Sequence, residues 1–298
     1  MSKSLRALVA SLALVLATPW GAAGQQLLDW TVRVRVEPEA LSHGAEAAFW
    51  NPAGLGLAPA RGEALAVVLQ TASDLGLKAL AAGGALRLHG GTAVGAGYQH
   101  FGIDDIERTT TAPPDAGAAD LMSVGEDRLT LGAAQPLGGG RRAWVGAQVE
   151  YDRASSGLGT TDGFAFGAGA LVRGGGALVP ELGVSAVALT GSTRWRVGAG
   201  AAVPGTSRLP VALHAAYGLT GQSDRAGQPA QRLALTGSWR DEVVASVAGM
   251  AEKSDGTTAY TAAWLGELRL GRYLLGVVHE SLANDFGGAT SVHLGVRF

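Results

Sequence analysis

The sequence predicts a closed antiparallel β-barrel of about fourteen strands that crosses a membrane. Three observations lead to this fold class. Apolar and polar residues alternate along many segments of roughly ten residues, the length that a tilted strand needs to cross a bilayer. Glycine makes up 46 of the 298 residues, about twice its average share. Mean hydropathy is positive at +0.19, yet after residue 24 no apolar run approaches the roughly 20 residues of a membrane helix.

The alternation is clearest at the C-terminus, where Val292 and Leu294 share one parity while Ser291 and His293 share the other. Successive strand side chains point to opposite faces, so such a segment is a strand with one apolar face. Three of the predicted strands, 63–70, 181–190 and 242–252, carry apolar residues on both parities. The predicted strands are 63–70, 80–88, 92–101, 126–134, 142–153, 162–173, 181–190, 193–203, 207–219, 230–239, 242–252, 258–269, 272–281 and 289–298.

A soluble β-sandwich also alternates, but its outer face carries charges and threonine. Here the polar parity is mostly glycine and alanine with interspersed arginine, glutamate and histidine. The apolar parity ends in aromatic residues, which suits the two aromatic girdles of a membrane barrel. The strands must also close into a barrel, because no unpaired edge is tolerated in lipid. The aromatic residues on the apolar parity are Tyr98, Tyr151, Trp195, Tyr217, Trp239, Tyr260 and Tyr273.

Residues 1–24 have the layout of a secretory signal peptide. Lys3 and Arg6 precede a short apolar core, Ala7 to Ala17, and small residues lead to Gly24. The core is too short to span a bilayer as a helix, which disfavours a transmembrane anchor. We therefore expect a mature chain that begins near Gln25 and works outside the cytoplasm.

Composition and the last residue point to the outer membrane of a Gram-negative-type bacterium. The chain has no cysteine, so packing and backbone pairing must hold it together. Its net charge of -2 and the lack of a basic stripe argue against nucleic acid as a partner. Phe298 ends an alternating strand and resembles the C-terminal signal by which such barrels are assembled. The expected partners are outer-membrane lipids and the barrel-assembly machinery.

The connections give a check on the strand count. If both termini face the periplasm, even-numbered connections should be tight and odd-numbered ones can be long. Four even connections are short: His89–Gly91, Pro204–Thr206, Arg240–Asp241 and Leu270–Gly271. The longest connection, 102–125, follows the third strand and is predicted to be an outer loop. Gly191–Ser192 is an exception, a short connection where an outer loop is expected, and it leaves the count open by two strands.

Residues 25–62 precede the barrel, 63–298, and are predicted to plug it. A fourteen-stranded barrel is too wide for wall side chains to fill. Pro52 should end the helix-permissive stretch before it, and Asn51 can cap a new turn. Phe49 and Trp50 need burial, and the lumen offers it. The segment is either a packed peg or a gate that moves when something passes.

The stretch Glu46 to Leu55, EAAFWNPAGL, resembles the Asn-Pro-Ala signature near the N-terminus of the FadL/PorV superfamily. This group joins transporters of long-chain fatty acids and hydrocarbons with PorV/PorQ-like secretion proteins. The resemblance implies that Asn51, Pro52 and Ala53, with Gly54, lie in a lumenal hatch. Gly44 stands where these families often have an acidic residue. The chain is also shorter than typical fatty-acid transporters.

Candidates for catalysis or metal binding are few. His279, Glu280 and Ser281 are adjacent along a strand, so their side chains should face opposite sides. His214 and His293 fall on the polar parity and could meet carboxylates such as Glu150 or Glu267. A cluster in the predicted outer loop, Asp104, Asp105 and Glu107, could bind calcium, but a solvated acidic loop is the favoured interpretation. The sequence therefore predicts no cofactor and no metal, and a barrel enzyme is the least favoured reading.

Two functions remain open. One is a passive transporter of small hydrophobic molecules with the 25–62 segment as its hatch. Its ligand pocket would be built from Phe49, Trp50 and Leu55, together with inward residues such as Leu171 and Leu274. The other is a PorV-like scaffold or shuttle in secretion, whose outer loops contact a protein; Leu121 and Met122 are the apolar loop residues that would favour it.

Overall fold

The computed structural model describes residues 35–71, 77–107, 121–140, 142–156, 159–189, 191–223, 228–254, 257–281 and 288–298. The predicted signal peptide, the first part of the predicted plug and the centre of the predicted 102–125 loop lie outside the described residues. Among the described helical segments, none has the length and hydropathy to cross a bilayer.

Within these ranges the chain forms fourteen strands. They are β1 (Glu63–Thr71), β2 (Leu77–Arg87), β3 (Ala93–Glu107), β4 (Leu121–Pro136), β5 (Ala143–Ser156), β6 (Gly159–Arg173), β7 (Val179–Leu189), β8 (Ser192–Val203), β9 (Val211–Gln222), β10 (Gln228–Trp239), β11 (Val243–Ser254), β12 (Thr257–Leu270), β13 (Tyr273–Ser281) and β14 (Gly288–Arg297). One short helix, α1 (Ala47–Trp50), precedes them, flanked by 3₁₀ turns at Glu39–Leu41, Gly44–Glu46 and Pro52–Leu57; a further turn, His89–Gly91, joins β2 to β3.

The fourteen described strands form one closed antiparallel barrel. Each strand pairs with the next along the chain, and β1 closes the sheet against β14, with Glu63 opposite Arg297 and Val67 opposite His293. Closure gives every strand a partner on both sides, which a sheet in lipid requires. The predicted architecture and strand count are confirmed, including the three segments with apolar residues on both parities.

The outer face is an apolar belt. Leucine and valine side chains such as Leu129, Leu233 and Val247 are exposed along the strands. Of the predicted girdle aromatics, Tyr151 and Trp195 are half-buried among their neighbours. The other five are exposed, as a lipid-facing girdle requires: Tyr98, Tyr217, Trp239, Tyr260 and Tyr273.

The lengths of the connections resolve the strand count that the short Gly191–Ser192 connection had left open. Even-numbered connections are short, as expected, and Arg240 and Asp241 make the β10–β11 turn with φ of 50° and 55°. Most odd-numbered connections are equally short: only residues 157–158, 190–191 and 255–256 separate three of the hairpins. The short β7–β8 connection is therefore real and does not change the strand count.

The predicted outer loop 102–125 was too long. β3 continues to Glu107, and β4 already begins at Leu121, so Leu121 and Met122 belong to a strand. Beyond the apolar belt both faces of a strand meet water, and the alternation stops there. Backbone pairing still continues, for example from Ile106 to Met122. Alternation therefore marks the membrane-spanning part of these strands and underestimates their full length.

We expect deletion of Phe298 to impair assembly more than stability. Its ring is exposed, and its backbone N–H donates to the Gly62 carbonyl at 3.1 Å, so it adds little to the packing of the finished barrel. The test compares the heat-modifiable band on a gel for the truncated protein made in cells and for the same protein refolded in detergent. Loss in both preparations would contradict an assembly role.

Candidate functional site

The described part of the N-terminal segment, residues 35–58, lies inside the barrel and is called the plug below. Its centre, 44–56, is buried throughout. Asn51 adopts an extended conformation before Pro52 and ends α1, as predicted. The Asn51 side chain then caps the next turn, because its Oδ1 accepts from the Ala53 N–H at 3.1 Å. Its Nδ2 donates to the carbonyls of Ala40, at 2.5 Å, and of Ala170, at 3.4 Å.

The plug sits in sockets made by inward-facing glycines. Phe49 lies over Gly83 and Gly97, where an added Cβ would overlap the ring. Pro52 lies against Gly146 in the same way, with its backbone where a Cβ would stand. Glycines within the strands leave space inside the barrel, because they have no side chain. The structure shows that the plug takes up that space.

The structure explains why position 44 carries a glycine and not an acidic residue. Its φ is +68°, and a Cβ there would overlap the carboxylate of Glu63 on β1. That carboxylate accepts a hydrogen bond from the Ala45 N–H at 3.2 Å and lies 3.4 Å from Nε of Arg297. The wall thus supplies the acidic group at this point, and a side chain at position 44 would displace it.

Two carboxylates of the plug bind the opposite wall. Oε2 of Glu39 accepts from Nε of Arg196 and from Oγ1 of Thr220, both at 3.1 Å. Oε1 of Glu37 lies 3.0 Å from Nδ1 of His214 and accepts from Thr236 at 2.9 Å. Burial raises the pKa of Glu37, but the bond to His214 and the charge of Arg35 outweigh it and lower that pKa to about 2.

The plug also contains a buried charged group of its own. Nε of Arg35 lies 3.7 Å from Oε2 of Glu46, and its guanidinium contacts the His43 ring. Burial raises the pKa of Glu46 to about 7 against the opposing charge of Arg35. The charge of Arg35, together with burial, lowers the pKa of His43 to about 3.

These values predict a pH-dependent difference between the wild type and the Glu46→Gln variant. A solvated glutamate titrates near 4.5, so seating the plug binds a proton on Glu46 between that pH and about pH 7. The stabilisation of the seated plug by this bound proton is complete below pH 4.5 and is lost as the pH rises through about 7. At pH 8 we expect the variant plug to be held more tightly than wild type, by roughly 3 kcal/mol at most; at pH 4 the two should be equal.

Hydrogen exchange of plug amides, compared between the two proteins at the same pH, measures this difference. His43 titrates in both proteins and so cancels. Glu39→Gln is the matched control: it breaks the ion pair with Arg196 and should loosen the plug at pH 8. A Glu46→Gln plug that exchanges faster than wild type at pH 8 would contradict the assignment.

The inner wall beside the plug is unexpectedly apolar on β1–β3. These side chains face the lumen, pack against Phe49 and its neighbours, and form what we call the apolar inner wall: Leu65, Val67, Leu69, Ala79, Ala81, Phe101 and Ile103. Leu69 and Ile103 are only partly buried and continue the surface beyond the plug. Sequence reasoning missed this feature, although apolar residues on both parities of 63–70 were its signal.

The inner wall of β4 and β5 is charged. The guanidinium of Arg128 is surrounded by three carboxylates: its Nε lies 2.5 Å from Asp152 and 3.6 Å from Glu150, and its Nη2 lies 3.5 Å from Glu126. Nε2 of Gln148 donates to Glu150 at 2.5 Å. We call these five residues the polar inner wall.

The residues predicted to form a ligand pocket are all buried. Phe49, Trp50 and Leu55 are at most 3% exposed; Leu55 lies against Gly95 and Gly132, and the Arg196 guanidinium stacks on Trp50 at 5.1 Å. They anchor the plug, and their contact with a ligand stays a prediction. Leu171 packs against Leu41, Ala53 and Trp144, whereas Leu274 is buried on β13, away from that cluster.

The remaining candidate groups lie apart. Nδ1 of His279 is 3.0 Å from Thr290, whereas Glu280 accepts from Arg232 at 3.3 Å, so these neighbours face different partners as predicted. His293 meets Glu267 at 3.1 Å, as expected. His214 lies between a plug carboxylate and a wall carboxylate, with its Nδ1 3.0 Å from Glu37 and its Nε2 3.6 Å from Glu181 on β7.

The acidic cluster considered as a calcium site lies only partly within the described side chains. Asp104 lies in β3 and accepts from Nζ of Lys78 at 2.9 Å. The side chains of Asp105 and Glu107 lie outside the described residues. In the described part of the chain no group of three or more histidine or acidic side chains is placed to hold a metal ion.

No family model and no curated protein matches this sequence. Solved structures match its fold. The toluene transporter TbuX of Ralstonia pickettii superposes with a TM-score of 0.56 at 13% identity, over 86% of this chain and 94% of that one. The toluene transporter TodX of Pseudomonas putida gives 0.57 at 10% identity, over 94% and 98%. A FadL homologue of Pseudomonas aeruginosa gives 0.53 at 11% identity, over 93% and 98%.

Identities this low establish the fold alone. The barrel shares its fold with these transporters, and the PorV-like part of the resemblance stays a prediction. The closed barrel and its apolar outer belt agree with this fold. The chain is therefore an outer-membrane β-barrel with the fold of the FadL-type transporters.

Proposed function

We propose that the protein is a passive transporter of small hydrophobic molecules and that the plug is its hatch. The observation that carries this proposal is the apolar inner wall. A barrel that conducts water and ions has a polar interior. Here leucine, valine, isoleucine and phenylalanine side chains face the lumen on three adjacent strands, where they can contact an apolar molecule.

The contacts of the plug support a role as hatch. Its 3₁₀ and α-helical turns reach the walls of β1–β8, Glu39 also bonds to Thr220 on β9, and Val36 packs against side chains of β10–β13. A molecule that passes through the lumen must therefore displace it. Glu37 and Glu39 bind His214 and Arg196 by hydrogen bonds and ion pairs, which can break and re-form without covalent change.

The alternative role is a scaffold or shuttle in protein secretion. Such a role needs an apolar surface at the loop end of the barrel for a protein partner. Leu121 and Met122 were the loop residues that would favour it, and they lie in β4, where Met122 pairs with Ile106. The transporters among the structural neighbours are described as toluene transporters, which favours a small hydrophobic substrate here.

Mass spectrometry of the purified barrel tests the proposal. We expect a small apolar molecule to co-purify with the wild type and to be depleted in Leu69→Asn, which places an amide on the apolar inner wall. Leu189→Asn is the matched control, because Leu189 is a partly buried leucine on the far wall, at the same end of the barrel. A stoichiometric protein partner with no apolar molecule would favour the scaffold. Equal amounts of co-purified apolar molecule in the two variants would show that the apolar inner wall does not bind it.

A further inference from the structure

We propose that Gln99 and Thr130 form a head-group subsite that binds a neutral hydrogen-bonding group of an amphipathic ligand. This inference rests on the transport function proposed above and narrows its substrate class. The ligand would have an apolar body that lies on the apolar inner wall and one hydroxyl, carbonyl or amide group that reaches the subsite.

The subsite lies on the border between two different surfaces. Gln99 on β3 is opposite Ala81 of the apolar inner wall on one side and opposite Arg128 of the polar inner wall on the other. Thr130 is opposite Gly97 and opposite Glu150. Opposed residues of an antiparallel pair have their Cβ atoms roughly 5 Å apart. Once the plug is displaced, a molecule of a few carbon atoms can therefore touch Gln99 and the apolar inner wall at once.

Both side chains are buried without a hydrogen-bond partner in the described part of the chain. Gln99 is 1% exposed, and neither its Oε1 nor its Nε2 is paired with any described residue. Thr130 is fully buried, and its Oγ1 is equally unpaired within the described residues. Buried polar atoms in native proteins are nearly always hydrogen-bonded, so an unpaired amide and hydroxyl side by side indicate a missing polar group. Between them they offer donors and acceptors, which suits an uncharged group with both functions.

The surrounding charge excludes an anionic head group. Glu126, Glu150 and Asp152 face this part of the lumen, and the guanidinium of Arg128 is already shared among them. Arg194 adds a second positive charge that acts on Asp152. Three carboxylates against two guanidinium groups repel a ligand carboxylate, because an opposite charge is needed to offset the desolvation of a buried ion. A neutral head group meets no such penalty.

The test compares three ligands with the same eight-carbon chain: octane, 1-octanol and octanoate. Each displaces a fluorescent apolar probe from the whole barrel held in amphipol. We expect wild type to bind octanol about tenfold more tightly than octane, since one buried hydrogen bond is worth about that factor, and to bind octanoate more weakly than octanol.

The variants isolate the subsite. Gln99→Leu and the isosteric Thr130→Val should each bring the ratio of octanol to octane affinity close to one. Ser185→Ala is the control, because Ser185 on β7 is also a buried hydroxyl without a partner in the described structure but faces a different wall; it should keep the wild-type ratio. The heat-modifiable band confirms that each variant is folded, and Thr130→Val carries the test if Gln99→Leu fails to fold.

The possible results separate the two proposals. Equal affinities for octane and octanol in wild type would overturn the subsite and leave the transport function standing. Tightest binding of octanoate would overturn the charge argument and the neutral head group with it. Displacement by none of the three would overturn the transport function itself.

Discussion

The Gly146→Val variant is expected to open the barrel to water-soluble molecules. A Cβ at this position would overlap the backbone of Pro52 and Ala53, and no side-chain movement can relieve an overlap with backbone. Overpacking of this kind costs about 1–3 kcal/mol, so the unseated fraction of plug should rise by about five- to 150-fold. The barrel itself should still form, because the added group points into the lumen.

Influx of a small sugar into proteoliposomes measures this effect. Gly163→Val is the matched control, because Gly163 on the neighbouring strand β6 also faces inward but has no heavy atom within 4 Å of an added Cβ. Its influx should equal that of wild type. If Gly146→Val is as tight to sugar as wild type, then the sockets do not hold the plug in the lumen.

The Asn51→Ala variant is expected to loosen the whole plug. Asn51 is fully buried and joins three parts of the structure: the turn that follows it, the Ala40 carbonyl of the first half of the plug and the Ala170 carbonyl of β6. Loss of an N-cap costs about 1 kcal/mol, and an unpaired buried carbonyl costs about 1–3 kcal/mol more. We therefore expect plug amides to open more easily by about 2–4 kcal/mol.

Hydrogen exchange resolves this change, since local opening is measured amide by amide. Amides of the strands should be unaffected, and replacing both Asn51 and Pro52 should likewise alter transport without preventing assembly. Asn51→Asp separates the two roles: it keeps the acceptor for Ala53 but cannot donate to Ala40. Faster exchange throughout the barrel would show that Asn51 supports the fold and has no special role in the plug.

Much of the fold could be predicted from alternation, because a strand in lipid must keep one apolar face for its full span. The places where this failed have physical reasons. β3 and β4 extend beyond the membrane, where both faces are wet and no pattern survives. Residues 63–70 gave a weak strand signal because β1 is apolar on its inner face as well.

The plug was predictable in part. Asn51 followed by Pro52 specifies a stop and a cap through local backbone chemistry, and the structure has both. The partners of Glu37 and Glu39 could not be predicted, because they lie on β8, β9 and β10, far away in the sequence. The same holds for the glycine sockets, whose purpose appears only when Phe49 and Pro52 are placed against them.

The most direct test of the account is a reversible covalent lock on the plug. The chain has no cysteine, and a Cβ built at Gly198 on β8 lies 3.2 Å from that of Ala40, near the separation that a disulfide requires. In the Ala40→Cys, Gly198→Cys double variant we expect uptake of a hydrophobic probe to stop on oxidation and to return on reduction. Uptake by each single variant should not change between oxidising and reducing conditions. Equal uptake in the oxidised and reduced double variant would contradict a plug that moves to let molecules through.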